Sequence, residues 1–220
     1  MHYDWDVINL AKEKIKESQK EKFPYFVDPK EVFGLKIQIN EHVFSPKYFK
    51  GYEFFTLKLP DVKGKRVLEM GCGHGITSCY LAKIADYVLA TDINNYAVEN
   101  TKINAKHNKL KNLETQQSDV FSNIKPNEKF DLIYWNTPWV KVPKEQELEA
   151  EDFGNFDPEY DAISRFISQS KDFLNKNGSI YLGFGVEGSD EKLFENIIKK
   201  SHLKWEVVAQ NNSLRLYKLH

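Results

Sequence analysis

The chain is poor in cysteine, poor in net charge and without a long apolar run. Cys72 and Cys79 are the only cysteines among 220 residues. They lie outside any CxxC arrangement and have no histidines at ligand spacing, so neither a disulfide framework nor a metal site is expected. With 31 basic and 32 acidic residues the formal charge is −1. Nonspecific nucleic-acid binders carry a basic excess, so a nucleic-acid partner is not expected. No stretch approaches the roughly 20 apolar residues of a membrane span. The start, MHYDWDVINL, lacks the basic-then-apolar pattern of a secretory leader. A reduced, cytoplasmic setting is therefore expected, and the oligomeric state stays open.

What is present is a regular alternation. Residues 4–22 read as a helix with Val7, Ile8, Leu10, Ala11 and Ile15 as its apolar stripe. Pro24 and Pro29 mark a loop, GLKIQIN at 34–40 alternates as a strand, and 45–60 reads as a short aromatic-rich helix closed by Pro60. Strands are then expected at 66–70, 87–92, 113–119, 130–136 and 179–185, and helices at 75–85, 94–108, 158–175 and 189–201. Ile76, Cys79, Tyr80, Leu81 and Ile84 are expected to face inward from the first of these helices. Asn177-Gly178 reads as the turn ending the helix at 158–175. KWEVVAQ and LRLYKL, joined by Asn211-Asn212-Ser213, read as a closing hairpin. The pattern predicts an α/β fold. A Rossmann-like, seven-stranded, mostly parallel sheet carries helices on both faces and an antiparallel C-terminal hairpin. From Glu145 to Asp161 there are eight acids and no Lys, Arg or His, which reads as a surface loop.

The stretch VLEMGCGHG at 67–75 places three glycines at alternate positions after a strand. Glycine accepts positive φ and lets a ligand approach the backbone. The nicotinamide fingerprint G-x-G-x-x-G is not met, because its third glycine position is Ile76. The spacing is instead E-x-G-x-G-x-G. An acid just before the glycines, Glu69, suits a ligand with an ammonium end and no pyrophosphate.

On these residues, with Asp92 in ATDIN, Asp119 in SDVF and Asn136 following at successive strand ends, the chain resembles the class I S-adenosylmethionine-dependent methyltransferases. The resemblance implies that S-adenosyl-L-methionine is held by Glu69, Gly71, Cys72, Gly73, Gly75, Asp92, Ile93, Asp119, Val120 and Asn136. Asp92 would take the ribose hydroxyls and Asp119 the adenine amino group. Plainer roles exist beside these: a turn surface for Glu69, a cap on the helix from 94 for Asp92, a turn for Asp119. His74 is expected to face solvent or line the pocket rather than act as a base.

Asn136-Thr137-Pro138-Trp139 resembles the N-P-P-Y/F/W signature of amino-methyltransferases acting on planar nitrogens. Such a nitrogen is a poor nucleophile because its lone pair is delocalised. Two acceptors, the Asn136 side-chain oxygen and the Thr137 carbonyl, would take its N–H groups and aim the lone pair at the methyl. Trp139 would cover the planar group and exclude water. Thr137 departs from the signature's first proline and loses that residue's rigidity. A strand end packed beneath the acidic segment is the plainer account of Pro138 and Trp139.

Residues 34–185 resemble the protein-glutamine methyltransferase group and its small-domain relatives. This implies a division into residues 1–60, an extension covering cofactor and substrate, and 61–220, the catalytic domain. Phe49, Tyr52 and Phe55 are candidates for the cover. Tyr52, Trp139 and Glu147 are candidates for the substrate side. The expected activity is methyl transfer to a planar nitrogen, glutamine-type, in a protein or peptide. The acidic segment would draw a basic acceptor and repel a phosphate backbone. A small amine or guanidino acceptor, an rRNA base, and a non-catalytic cofactor-binding subunit stay as alternatives.

Overall fold

Ile8, Ala11, Ile15 and Ser18 recur at three- and four-residue intervals. In the computed structural model, which describes residues 3–220, they form the buried stripe of α1 (Trp5–Gln19). Asp4 caps this helix, its carboxylate accepting from Val7 N–H at 3.1 Å. Leu10, expected in the stripe, is instead 52% exposed, because it falls off the three-four spacing. The proline-flanked segment that follows holds β1 (Tyr25–Val27), not a loop alone. It pairs antiparallel with β2 (Ile37–Ile39), which is shorter than the strand expected over 34–40. The helix expected over 45–60 contracts to α2 (Gly51–Thr56).

The regular part comprises β3 (Arg66–Met70), α3 (Ile76–Ala82), β4 (Tyr87–Asp92), α4 (Asn95–His107), β5 (Leu113–Gln117) and β6 (Phe130–Asn136). There follow two short strands, β7 (Val140–Val142) and β8 (Phe156–Pro158), paired in parallel. The chain closes with α5 (Asp161–Gln169), β9 (Leu174–Gly185), α6 (Glu191–Lys200), β10 (Trp205–Gln210) and β11 (Leu214–Leu219). The main sheet has seven strands in the order β10-β11-β9-β6-β3-β4-β5. Only the pairs made by β11 are antiparallel.

Alternate residues of each central strand feed two cores, one on each face. Val67, Val88, Leu132 and Tyr134 join Val27, Val32, Ile37 and Phe55 on one face. Leu68, Leu89, Ile133 and Trp135 join Ile163, Phe166, Phe184 and Phe194 on the other. Residues 23–59 thus share a core with the sheet, whereas Ile8, Ala11 and Ile15 of α1 pack on Val140, Val142 and Phe156 of β7 and β8. Ile84 departs from expectation: α3 stops at Ala82, and Ile84 lies beyond it, 40% exposed. Asn177-Gly178 also departs. It sits inside β9, where the register against β6 shifts from Phe130↔Leu174 to Leu132↔Ser179.

A ladder of asparagines joins the extension to the sheet. Asn100 and Asn104 of α4 and its C-cap residue Asn108 are four apart and face the β2 segment. Their side-chain oxygens accept from the backbone N–H of Asn40, Gln38 and Lys36 at 3.0, 2.8 and 2.9 Å. Asn104 and Asn108 return bonds to the carbonyls of Gln38 and Lys36, each at 2.9 Å. The helix face therefore satisfies a strand edge that would otherwise be unpaired. Asn100 and Asn104 also donate to the His74 carbonyl, which fixes the glycine turn to the same ladder.

Candidate active site

Beyond β3 the chain crosses to β4 on one side, and β6 flanks the other. This reversal leaves a crevice outside the carboxyl ends of β3 and β6, where ligands of such sheets bind. A cavity of about 550 Å³ occupies it. Its lining includes Glu69, Gly71, Cys72, Gly73, Asp92, Ile93, Asp119, Val120, Asn136, Pro138 and Trp139. The strand ends thus bring most of the sequence-derived candidates to one place.

The glycine turn is shaped by positive φ at Gly71 (+64°), Gly73 (+51°) and Gly75 (+79°). At Gly71 a Cβ would stand 2.6 Å from the Trp135 Nε1. At Gly73 it would meet only Phe44 Cβ at 3.9 Å, so this face of the turn is open to a ligand. Asp92 holds the turn: one oxygen accepts from Gly73 N–H and the other from Asn94 N–H, both at 2.9 Å. It does not cap α4. That role belongs to Asn94, whose side chain accepts from Tyr96 N–H. Burial pushes the Asp92 carboxyl up to about 6, against the pull of these backbone donors.

Glu69 is buried on β3, and Ser78 Oγ donates to its carboxylate. Burial pushes its carboxyl up to about 8. A cation brought beside it would restore the charged form. Asp119 is an exposed residue beyond β5 and pairs with Arg165 at 2.9 Å through one oxygen. Arg165 also holds Asp161 at 2.8 Å and so bridges α5 to the β5 loop across the cavity. Val120 takes a left-handed backbone, φ 49°. His74 lines the cavity yet is buried, its ring edge-on to Tyr52 at 4.9 Å. Burial drives its pKa down to about 3, and Nδ1 accepts from Ile76 N–H, so it stands as a neutral wall.

At the end of β6 the Asn136 Oδ1 is buried without a hydrogen-bond partner. The next residue is clamped: Thr137 N–H and Oγ1 both donate to the Gly183 carbonyl, at 3.0 and 2.9 Å. The rigidity lost with the signature's proline is thus offset by a hydroxyl bond. Trp139 is half-buried and lies against Gly185, where an added Cβ would come within 2.4 Å of its ring. Its carbonyl accepts from Tyr160 OH at 2.7 Å.

The other candidates divide. Phe49 and Tyr52 line the cavity, whereas Phe55 lies wholly buried beneath Gly183. Gly75 lies behind the turn against Thr101. Glu147 is exposed and is not among the lining residues; Glu151, Asp157, Glu159 and Asp161 reach the cavity instead. The acidic segment is also not a free surface loop. Asp157 is 1% exposed and caps α5 through Ala162 and Ile163 N–H, and burial pushes it up to about 7. Glu159 accepts from Tyr3 OH, Glu151 faces His42 at 3.5 Å, and Asp152 accepts from Glu149 N–H. Phe44, stacked on Phe49 at 4.2 Å and packed on Gly154, is a roof residue that sequence reasoning passed over. Its only signal was the aromatic density of residues 44–55. Arg165 was missed because nothing local ties it to Asp119.

These residues suit the expected S-adenosylmethionine. A buried carboxyl suits an ammonium end, a turn open at Gly73 suits close approach, and an orphaned acceptor lines the same cavity as Trp139. Among the described residues no cluster of three His, Cys, Asp or Glu could hold a metal ion, and no helix is long and apolar enough to cross a membrane.

Comparison with known proteins gives a consistent picture. The family model described as methyltransferase small domain matches residues 34–218. A protein of Methanocaldococcus jannaschii, provisionally named a protein N5-glutamine methyltransferase, is 32% identical over 185 residues, covering 82% of this chain and 90% of its own. A ribosomal RNA small subunit methyltransferase C of Psychromonas ingrahamii is 29% identical over 167 residues, covering 73% of this chain but 43% of its own. Among solved structures, a T. thermophilus 16S rRNA N2 G1207 methyltransferase in complex with AdoMet and guanosine superposes with a TM-score of 0.65. It has 17% identity and covers 88% of this chain and 49% of its own, a likeness of fold.

Proposed function

We propose, on the premise that this chain belongs to the methyltransferase small domain family and is an S-adenosylmethionine-dependent methyltransferase, that it methylates a planar nitrogen, the side-chain amide of a glutamine in a protein or peptide. One observation carries the reading: Asn136 Oδ1 is a buried acceptor with no partner. Leaving such a group unsatisfied costs about 1–3 kcal/mol. A primary amide of the acceptor supplies the missing donor, and its second N–H is suited to the Thr137 carbonyl one residue on.

When bound, S-adenosylmethionine supplies an electrophilic methyl on a sulfonium. Everything else falls to this chain. Glu69 takes the ammonium end, Asp92 the ribose and Asp119, by its free oxygen, the adenine. Cys72, Ile93 and Val120 line the remainder. Asn136 and Thr137 fix the nitrogen's orientation, so catalysis is positioning and stabilisation of charge developing on nitrogen. Pro138 stiffens the turn, and Trp139 and Tyr52 keep water from the acceptor. The provisional name of the M. jannaschii relative points the same way.

The exocyclic amine of an RNA base offers the same pair of N–H donors, and the P. ingrahamii relative is named for rRNA. The carboxylates of Glu151, Glu159 and Asp161 on the cavity wall disfavour a phosphate backbone there. The test is transfer of labelled methyl from S-adenosylmethionine to glutamine-containing peptides, rRNA hairpins and small amines in parallel. Label on peptide amide supports the reading. Label confined to RNA or amines overturns it.

A further inference from the structure

Behind Trp139 lies a second concavity, of about 580 Å³, that the methyl-transfer chemistry does not use. Trp139, Phe49 and Gly51 line both it and the cofactor cavity, so the two share a wall. Its floor is apolar, formed by Phe54, Leu57 and Leu214 with the Trp139 ring. Leu57, the C-cap residue of α2, is 55% exposed on this surface. The rim carries Lys14 from α1, with Lys50 and Lys58 flanking α2, against a single acid, Glu53. All three lysines are exposed, and none is ion-paired among the described residues. Asn211 and Ser213, from the β10–β11 turn, close the far side with polar side chains.

We propose that this groove docks the peptide segment flanking the acceptor glutamine, and that the segment is acidic and aliphatic. The inference rests on the amide reading above. Three unpaired cations around an apolar floor favour carboxylates beside leucine-like side chains. An RNA strand would instead ask for phosphate contacts along its whole path. The adjoining cavity wall offers carboxylates there, with Glu151, Glu159 and Asp161 facing inward. The shared wall of Trp139, Phe49 and Gly51 sets the groove directly beside the cavity that Asn136 lines. In this arrangement only the neutral glutamine side chain enters the carboxylate-lined cavity, while the acidic flank stays in the lysine-rimmed groove.

The experiment uses ten-residue peptides with a central glutamine, flanked by Asp and Leu, by Ala, or by Lys and Leu. Methylation is measured with the wild type and with Lys14→Glu/Lys58→Glu. Binding of fluorescein-labelled versions carrying Ala for Gln is read by anisotropy, so docking is measured independently of transfer. The Asp/Leu peptide is expected to show a KM and a dissociation constant lower than those of the Lys/Leu peptide by at least about tenfold. The advantage should shrink at high salt and vanish in the double variant, with kcat and cofactor affinity unchanged. Equal binding of all three peptides overturns the docking proposal, even if every one is methylated. If the Asp/Leu peptide binds in a lysine-dependent way but no glutamine is methylated, the docking surface stands and the amide reading fails. An rRNA hairpin that binds the wild type, displaces the peptide and loses affinity in the double variant assigns the groove to nucleic acid instead.

Discussion

The backbone N–H and the side-chain hydroxyl of Thr137 converge on one acceptor, the carbonyl oxygen of Gly183, at 3.0 and 2.9 Å. Gly183 is the β9 partner of Asn136. The clamp therefore ties Thr137, the proposed source of a carbonyl acceptor, to the strand beside Asn136, the proposed source of a carboxamide acceptor. Thr137→Val keeps shape and the N–H bond but removes the hydroxyl bond. It should cost about 1 kcal/mol of stability, seen in chemical denaturation. It should lower kcat more than cofactor affinity. Unchanged stability and turnover would mean that the hydroxyl does nothing for this corner.

Gly185 makes room for the Trp139 indole. A methyl at that position would press into the ring at 2.4 Å. Gly185→Ala should force the indole aside at a cost of about 1–3 kcal/mol. Methyl transfer should fall while cofactor binding, measured by calorimetry, stays near the wild-type value. A parallel loss of cofactor affinity would show that the ring supports the donor side rather than the acceptor.

Asp92 joins the glycine turn to the start of α4 through its two backbone bonds. Asp92→Ala removes both and the group assigned to the ribose. Cofactor affinity should drop by at least about tenfold, or 1.4 kcal/mol. Retained affinity would mean that the ribose lies elsewhere.

Burial raises the carboxyl of Glu69 from 4.5 to about 8 and that of Asp157 from 3.8 to about 7. A proton held more tightly by the folded than the unfolded chain stabilises the fold at low pH and is lost as pH climbs through the folded value. His74 runs oppositely: its pKa falls from 6.5 to about 3, so its contribution is complete above pH 6.5 and is lost as pH falls toward 3. Of these three groups only the two carboxyls contribute a change between pH 6.5 and 8, and the Tm of the free protein should decline across that window. Glu69→Gln should flatten the decline. Cofactor binding near pH 7 should release a proton from Glu69, visible as a buffer-dependent calorimetric heat that fades by pH 9. A flat Tm together with a buffer-independent heat would remove Glu69 from the ammonium site.

The sequence made the sheet and one side of the cavity legible. Gly71 to Gly75, Asp92 and Asn136 follow strands whose burial is visible as apolar runs. Local residues set those turns. The acceptor side was less legible, because it is built from pairings between distant segments. Three-residue strands such as β7 and β8 carry no periodic signal, and their pairing depends on α1 packing Ile8, Ala11 and Ile15 over Val140, Val142 and Phe156. The charge of residues 145–161 was visible, but not its fate. Asp157 is consumed by the N-terminus of α5 and Glu159 by Tyr3, contacts that composition does not report. The asparagine ladder on α4 looked like an ordinary polar face until β2 stood beside it.

The most direct test of the account is where the methyl goes, and whether it needs Asn136. A glutamine-containing peptide is incubated with wild-type protein and with Asn136→Ala under single-turnover conditions, and the product is mapped by fragmentation mass spectrometry. The account predicts methyl on the glutamine side-chain nitrogen. It also predicts a loss of at least about 100-fold in the variant's rate, the scale of removing one preorganised group at a reacting centre, with cofactor affinity nearly intact. Methyl on another atom, or a variant that keeps the wild-type rate, would contradict it.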